Sequence, residues 1–502
     1  MLTVGHQKID ALALAVVTAF IGGATVLSVA VPELLPWSFV ALIGLAVLLY
    51  AVARWEITLW AWLYVFSYGL LDWPQWRVRV TGFFNMTVPR FVFLAVMLAF
   101  GLYFLFNRRR VRYDRMVLWV MLALTVCIAI SSTTTGWTSS VPDVRSAPYF
   151  RFLGSILLPF LIFFWMYNAT SRESQIRWAL ILLSVFGWYA LYLGYLQYAA
   201  VMGAGGAKAF IWPAHLMDPT FGIHVDRGRG PFPSAPPQAV FLVLLFFTDL
   251  FLIRKVHGPY RAALVVQAVL TPPAIFFAGM RSGYVAFALC GVVWCLWADR
   301  GRFGKTKLGL ALLAGVVGAA MFWTNLLQEK RQVGGIAQRA PVTARFALLA
   351  QTWEMVKERP LTGVGFGHFA DAQLRMPRSP ATLVGATVGT LTEHNLFLNM
   401  AAETGLIGLV LTIAVFWLIF AESRRLNRKL PPTAAGMLCP EFVVLFWVAM
   451  VNYLTDATFR DPLWDNFNNG FFWAFAGLVA GYNRLLEPQP LDLPYAIPAL
   501  EV

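Results

Sequence analysis

The sequence predicts an all-α polytopic membrane protein. Three observations carry that expectation. The 502-residue chain is 59% hydrophobic, with a mean hydropathy of +0.66. Charged residues make up only 13%, against roughly a quarter in soluble domains. Apolar runs of the ~20 residues needed to cross a bilayer recur along the chain. A soluble fold of this length lacks the polar residues to cover its surface, and the same composition excludes disorder.

Taken in order, apolar runs fall near 11–30, 37–53, 56–72, 89–106, 116–131, 149–168 and 178–201. Seven more fall near 238–253, 262–279, 283–298, 308–324, 396–420, 437–455 and 468–482. The expected count is therefore about 12–14 transmembrane helices. The pairs 37–53/56–72 and 262–279/283–298 have short connections and suit re-entrant segments. The first run resembles a signal peptide, but it is long and followed by many others, so it reads as an uncleaved anchor.

Formal net charge is +14, from 39 Lys+Arg against 25 Asp+Glu. With the N-terminus in the cytoplasm, 21 of the 39 basic residues fall inside, and the assignment is consistent at every basic cluster. Of the 18 outside, 11 sit in two long loops. Both termini are then cytoplasmic. The expected organisation is N-terminal helices over 1–201, a first extracytoplasmic loop over 202–237 and middle helices over 238–324. A larger, partly helical loop follows over 325–395, then C-terminal helices and a tail over 396–502. Long loops in compact proteins are usually functional.

The larger loop carries most of the candidate chemistry. Residues 343–358 read as an amphipathic helix with Thr343 as N-cap. Phe346, Leu349, Trp353 and Val356 form its apolar stripe, and Arg345 lies in its first turn. A cation there opposes the helix dipole unless an anion is shared between the guanidinium and the helix end. Next comes Gly363-Val-Gly365-Phe-Gly367-His368, which fits a loop turn and neither a dinucleotide motif nor a P-loop. The loop ends at Thr392-Glu393-His394-Asn395. With Thr392 as N-cap, His394 enters the first helical turn, where the positive helix end favours the neutral imidazole that a general base requires. His394 and Gly405 would then differ by about 20° around the helix. Glu403, an ionisable residue inside a span, suggests a functional or helix-pairing role.

Two arginine elements lie elsewhere. Met280-Arg281-Ser282-Gly283 opens a span on the same side of the membrane as His394. In the first loop, His224-Val-Asp226-Arg227-Gly-Arg229-Gly places arginines between glycines, as a flexible phosphate grip would. Each fragment alone has a bland alternative, as a solvated turn or a headgroup anchor.

Together these residues resemble the O-antigen ligase/polymerase superfamily of bacterial inner-membrane glycosyltransferases. His394 to Gly405 fits its His-x10-Gly element, and Arg345 to Leu349 its Arg-x3-Leu element. Gly279-Met-Arg281-Ser-Gly fits its arginine element, and residues 360–369 are also typical. The motif resemblance spans roughly 220–420. It implies metal-independent transfer of a glycan from undecaprenyl pyrophosphate to a hydroxyl of a glycan acceptor, either a lipid-linked glycan or a lipid A core. His394 is then the base, and Arg281 and Arg345 neutralise the departing pyrophosphate. Arg227, Arg229, Glu393 and Asn395 contribute to substrate binding. Neither cofactor nor metal is expected. The expected partners are the bilayer and other polysaccharide-assembly proteins, and no nucleic acid. The location is the bacterial inner membrane with the site periplasmic.

The span count leans toward a surface-polysaccharide polymerase over an O-antigen ligase. A protein O-oligosaccharyltransferase of the same superfamily is the alternative in class. A lipid-linked glycan flippase is the alternative outside it, disfavoured because no repeat symmetry appears and the basic residues gather in loops. A metalloenzyme built on His215, His224, His368 and His394 lacks zinc-type spacing. Cys127, Cys290, Cys295 and Cys439 form no Cys-x-x-Cys pair and read as packing residues.

Overall fold

The computed structural model describes residues 58–72, 78–80, 84–107, 111–139, 148–298, 340–375 and 395–487. The runs predicted at 11–30, 37–53 and 308–324 lie outside the described residues, as do His394 and Glu393. The chain divides into two compact units, Met1–Arg112 and Tyr113–Val502. The fold is that of an all-α polytopic membrane protein. Seven described helices are long and apolar enough to cross a membrane.

In the first unit, α1 (Thr58–Leu70) packs on α2 (Val88–Asn107). The Tyr64 ring meets Phe93 edge-to-face at 5.2 Å, and its hydroxyl bonds that of Tyr68 at 3.1 Å. Between them lies a ribbon that the sequence did not announce, β1 (Val78–Val80) against β2 (Phe84–Met86), antiparallel with Arg79 opposite Asn85.

The second unit contains α3 (Met116–Thr135), α4 (Pro148–Ala169), α5 (Ser174–Val201), α6 (Ala235–Ile253), α7 (Gly258–Phe277) and α8 (Arg281–Trp297). It continues with α9 (Ala340–Glu358), α10 (Phe369–Arg375), α11 (Leu396–Lys429), α12 (Pro440–Phe459) and α13 (Asn466–Leu485). The predicted run at 468–482 becomes α13, which is not among the seven helices long and apolar enough to cross a membrane. It is instead wrapped by protein along nearly its whole length. Its asparagines lower its hydropathy, and buried amides need partners. Asn469 Nδ2 donates to Ser155 O at 2.9 Å, and Asn469 Oδ1 accepts from Tyr453 and Trp473 at 2.8 Å each. Gly477 and Gly481 let α4 approach so closely that a Cβ at either would collide with Phe163 or Thr170.

The first long loop is built from three 3-10 turns, Gly205–Phe210, Ala214–Met217 and Pro219–Phe221. Phe232 anchors it among Phe186, Phe241 and Phe467. At the opposite end of the bundle, basic residues do more than set topology. Arg115 pairs with Glu487 at 2.5 Å, Lys429 with Glu487 at 3.3 Å, and Lys255 with Glu441 at 3.6 Å.

Gly477→Val should disrupt the α4–α13 contact. Overpacking of this kind costs about 1–3 kcal/mol. The thermal midpoint in detergent is expected to fall by several degrees, whereas substitution at the exposed Trp417 should leave it nearly unchanged.

Candidate functional site

The site is organised around a break in α11. Gly405 adopts φ 70°, ψ −171°, so residues 396–404 form a short helical segment set off from the rest. A break of this kind frees backbone groups that must find partners. Residues 360–367 supply them. Val364 N donates to Ala402 O at 2.8 Å, Gly365 N to Glu403 O at 2.9 Å, and Leu406 N to Pro360 O at 2.8 Å. Gly363, Gly365 and Gly367 all have positive φ, and a Cβ at these positions would strike Glu403, Thr135 and Pro148 respectively. The segment read as a loop turn is thus a backbone splint. It also corrects the helical-wheel argument: residues on the two sides of Gly405 do not share one helix.

The start of α11 differs from expectation as well. The N-cap is Asn395, not Thr392. Its Oδ1 accepts from Leu398 N at 3.0 Å, and its Nδ2 donates to Thr458 O at 3.0 Å. Asparagine outranks threonine at this position. His394 therefore precedes the cap in the chain instead of entering the first turn. Its own placement and that of Glu393 lie outside the described residues.

Behind this segment is a buried ionic centre. Arg151 Nη1 donates to Glu403 Oε1 and Oε2 at 2.7 and 2.8 Å, and Nη2 to Asp461 Oδ2 at 3.1 Å. Asn399 Nδ2 donates to the same Asp461 oxygen at 2.8 Å. The rings of Phe366 and Trp464 each cover the guanidinium at 4.8 Å. Glu403 has no exposed surface, and Arg151 has 4%. Burial pushes the Asp461 carboxyl up, with the Arg151 charge opposing it. Beside it, Arg460 pairs with Asp456 at 2.6 Å and Asp465 at 2.9 Å. Burial works against the Arg460 charge, but these two acids outweigh it and raise its pKa above the usual arginine value. Glu403 thus has a helix-pairing partner on α4. The sequence reading missed Arg151, Asp461 and Arg460. The available signal was a lone arginine within the apolar run 149–168 and a lone glutamate within 396–420, each requiring an opposite charge.

The apolar face of the same segment, through Leu396 and Met400, lines a cavity with Leu124, Phe160, Phe416 and Trp473. His368 ties the splint to the end of α3. Its Nδ1 lies 3.0 Å from Asp371 Oδ2, and its Nε2 lies 2.9 Å from Gly136 O.

Helix α9 begins at Ala340, so Thr343 lies inside it and Arg345 falls in its second turn. Pro341 suits the first turn because its missing amide needs no partner there. The Arg345 side chain lies outside the described part. The stripe that packs on α11 is Leu348, Thr352, Met355 and Val356, while Leu349 and Trp353 are exposed. The predicted stripe was therefore rotated by about one residue, or about 100°.

The other arginines divide sharply. Arg281 opens α8, with Met280 as N-cap. Arg227 is buried to 7% exposure, and its Nη1 lies 3.5 Å from Met280 Sδ. Gly228 N donates to Phe277 O at 3.0 Å, which docks this part of the first loop beside the α8 start. Burial pulls the Arg227 pKa down, with Asp226 opposing. Arg229 instead points inward. It donates to Leu216 O through Nε at 3.2 Å and through Nη2, and to Pro233 O at 2.9 Å. Burial pulls its pKa down to about 10, which still leaves it charged at neutral pH. Its donors are occupied by loop carbonyls, so the glycines around it do not make a flexible grip. Gln197 also clamps Gly230, accepting from its amide at 2.7 Å and donating to its carbonyl at 2.8 Å.

The two parts of the site connect through the first turn of α6. Asn468 Nδ2 donates to Pro237 O at 3.0 Å, and Gly283 of α8 packs against Ala239. Among the described residues, no three His, Cys, Asp or Glu side chains converge as a metal site. The four cysteines are free thiols.

Arg151→Met would leave Glu403 buried without a counter-charge and remove the ion-pair partner of Asp461. The expected cost is about 3–5 kcal/mol, read as a lower thermal midpoint. Arg229→Ala should also lower the midpoint, because it strands the carbonyls of Leu216 and Pro233. Arg227→Ala should leave it little changed.

No curated protein matches the chain. Residues 266–413 match the family model described as O-Antigen ligase. That interval contains the start of α8 with Arg281, the helix bearing Arg345, the glycine splint and the break at Gly405. Residues 266–413 therefore read as an O-antigen ligase domain, consistent with the O-antigen ligase/polymerase superfamily.

Proposed function

We propose that the protein transfers a glycan from undecaprenyl pyrophosphate to a hydroxyl of a glycan acceptor at the periplasmic face of the bacterial inner membrane. It would act as a surface-polysaccharide polymerase or O-antigen ligase. The observation that carries this reading is the convergence of Arg227 on the helix start opened by Arg281, within a chain that carries an O-antigen ligase domain. A guanidinium beside a helix N-terminus suits a pyrophosphate, because both contribute fixed positive charge and N–H donors.

The reaction needs little covalent chemistry from the protein. The acceptor oxygen attacks the anomeric carbon, and the bond from that carbon to the pyrophosphate oxygen breaks. The acceptor proton passes to His394. Undecaprenyl pyrophosphate leaves with the bonding electron pair, and configuration at the anomeric carbon inverts. Charge stabilisation of the leaving group is then the main demand. Arg281, Arg345 and Arg227 meet it, since guanidinium remains charged and binds phosphate oxygens bidentately. Arg229 holds the loop that presents Arg227. Asn395 caps the helix following His394, and Glu393 contributes to acceptor binding.

Purified protein in lipid should transfer lipid-pyrophosphate-linked glycan with EDTA present, and a strict need for added divalent metal would overturn the metal-free mechanism. His394→Ala should lower the rate by ~10²–10⁴-fold, the usual range for loss of a general base. Full activity of that variant would end the base assignment. Arg281→Ala and Arg345→Ala should abolish transfer in folded protein. Arg227→Ala should weaken it by ~10–100-fold, corresponding to about 1.5–3 kcal/mol for a charged hydrogen bond.

A further inference from the structure

The buried Arg151 charge takes no part in the reaction just described. Sealed under Phe366 and Trp464, it is closed to substrate. Burying such a charge cluster is often no more stabilising than apolar packing of the same volume. Its best-attested use is to fix register.

The element whose register is in question is the short helical segment 396–404. Because Gly405 interrupts α11, the long remainder of that helix does not set the segment's rotation. Alongside the splint at Ala402 and Glu403, its cap and two of its residues hold it. Asn395, Asn399 and Glu403 recur every four residues and therefore share one face. Asn395 bonds Thr458 O, Asn399 bonds Asp461, and Glu403 bonds Arg151, which also holds Asp461. All three anchors converge on the α12–α13 turn and the first turn of α4. That turn is itself braced, since Asp461 Oδ1 accepts from Leu463 N at 3.0 Å and Arg460 bridges Asp456 and Asp465. His394 is joined to the cap residue of this segment by a single peptide bond.

We infer that Arg151 is a positioning residue for the transfer reaction: through Glu403 and Asp461 it fixes the rotation of segment 396–404, and with it the placement of His394. This rests on the reading of His394 as the base. Misplacement of a reacting group by about 1 Å can cost ~10²-fold in rate. The structural demand is thus for a rigid polar lock where an apolar contact would let the segment rotate.

The experiment measures kcat and donor KM per folded molecule, together with the thermal midpoint, for the full chain in lipid. The variants are Arg151→Lys, Glu403→Gln, Asp461→Asn and the double variant Arg151→Met/Glu403→Met. The conservative variants should lose ~10–100-fold in kcat with donor KM nearly unchanged. The double variant, which removes the Glu403 charge but leaves Asp461 buried, should recover part of the midpoint lost in Arg151→Met while kcat stays low. Wild-type kcat in Glu403→Gln and Arg151→Lys would overturn the inference. So would a double variant that recovers kcat along with its midpoint, because the cluster would then serve stability alone. If the double variant does not fold, the conservative variants decide. His394→Ala is run in parallel. Its full activity would defeat the base reading and this inference with it. Its inactivity beside unaffected Arg151 and Glu403 variants would defeat this inference alone.

Discussion

A helix that breaks inside a membrane protein must have its loose backbone groups satisfied by protein. That constraint shapes everything around Gly405. The glycine-rich stretch 360–367 runs as successive turns that reach three backbone partners across the break. It carries glycines because Thr135, Pro148 and the Glu403 backbone leave no room for side chains. Phe366 and Gly367 then close over the Arg151–Glu403 pair, and His368 pins the far end to α3. The large loop and the transmembrane bundle are therefore held as one piece at this point, and the segment following His394 takes its position from both.

The basic excess resolves into populations with different physical roles. At one end of the bundle, Arg115, Lys255 and Lys429 engage Glu487 and Glu441 and tie helix ends together. At the other, Arg151 and Arg460 neutralise buried acids, and Arg229 stitches a loop through its carbonyls. Arg227 is buried beside the start of α8, the helix that Arg281 opens. Net charge alone cannot separate these roles, since the same guanidinium serves an acid, a carbonyl or a phosphate according to what lies opposite.

Much of the architecture was legible along the chain. The spans near 116–131, 149–168, 178–201 and 238–253 were found within a few residues, and the motif at Arg281 coincides with a helix start. Local capping chemistry was less decisive. Thr343 and Thr392 were each plausible caps, but one helix starts earlier, at Ala340, and the other later, capped by Asn395. The apolar stripe of α9 was placed about one position off because both Leu348 and Leu349 are apolar, and only the neighbouring α11 selects between them. Arg227 and Arg229 lie two residues apart in one glycine-rich motif, yet one faces Met280 and the other is enclosed by loop carbonyls.

The sequence by itself determined that this chain lives in a bilayer and roughly where its helices run. Those properties follow from composition and spacing, which are one-dimensional. Only the tertiary structure decided that α11 breaks at Gly405, that a loop segment splints it, and that Arg151 on a distant helix meets Glu403. The reason is physical: a free carbonyl or a buried charge states a need, but its partner lies across space, up to hundreds of residues away in the chain.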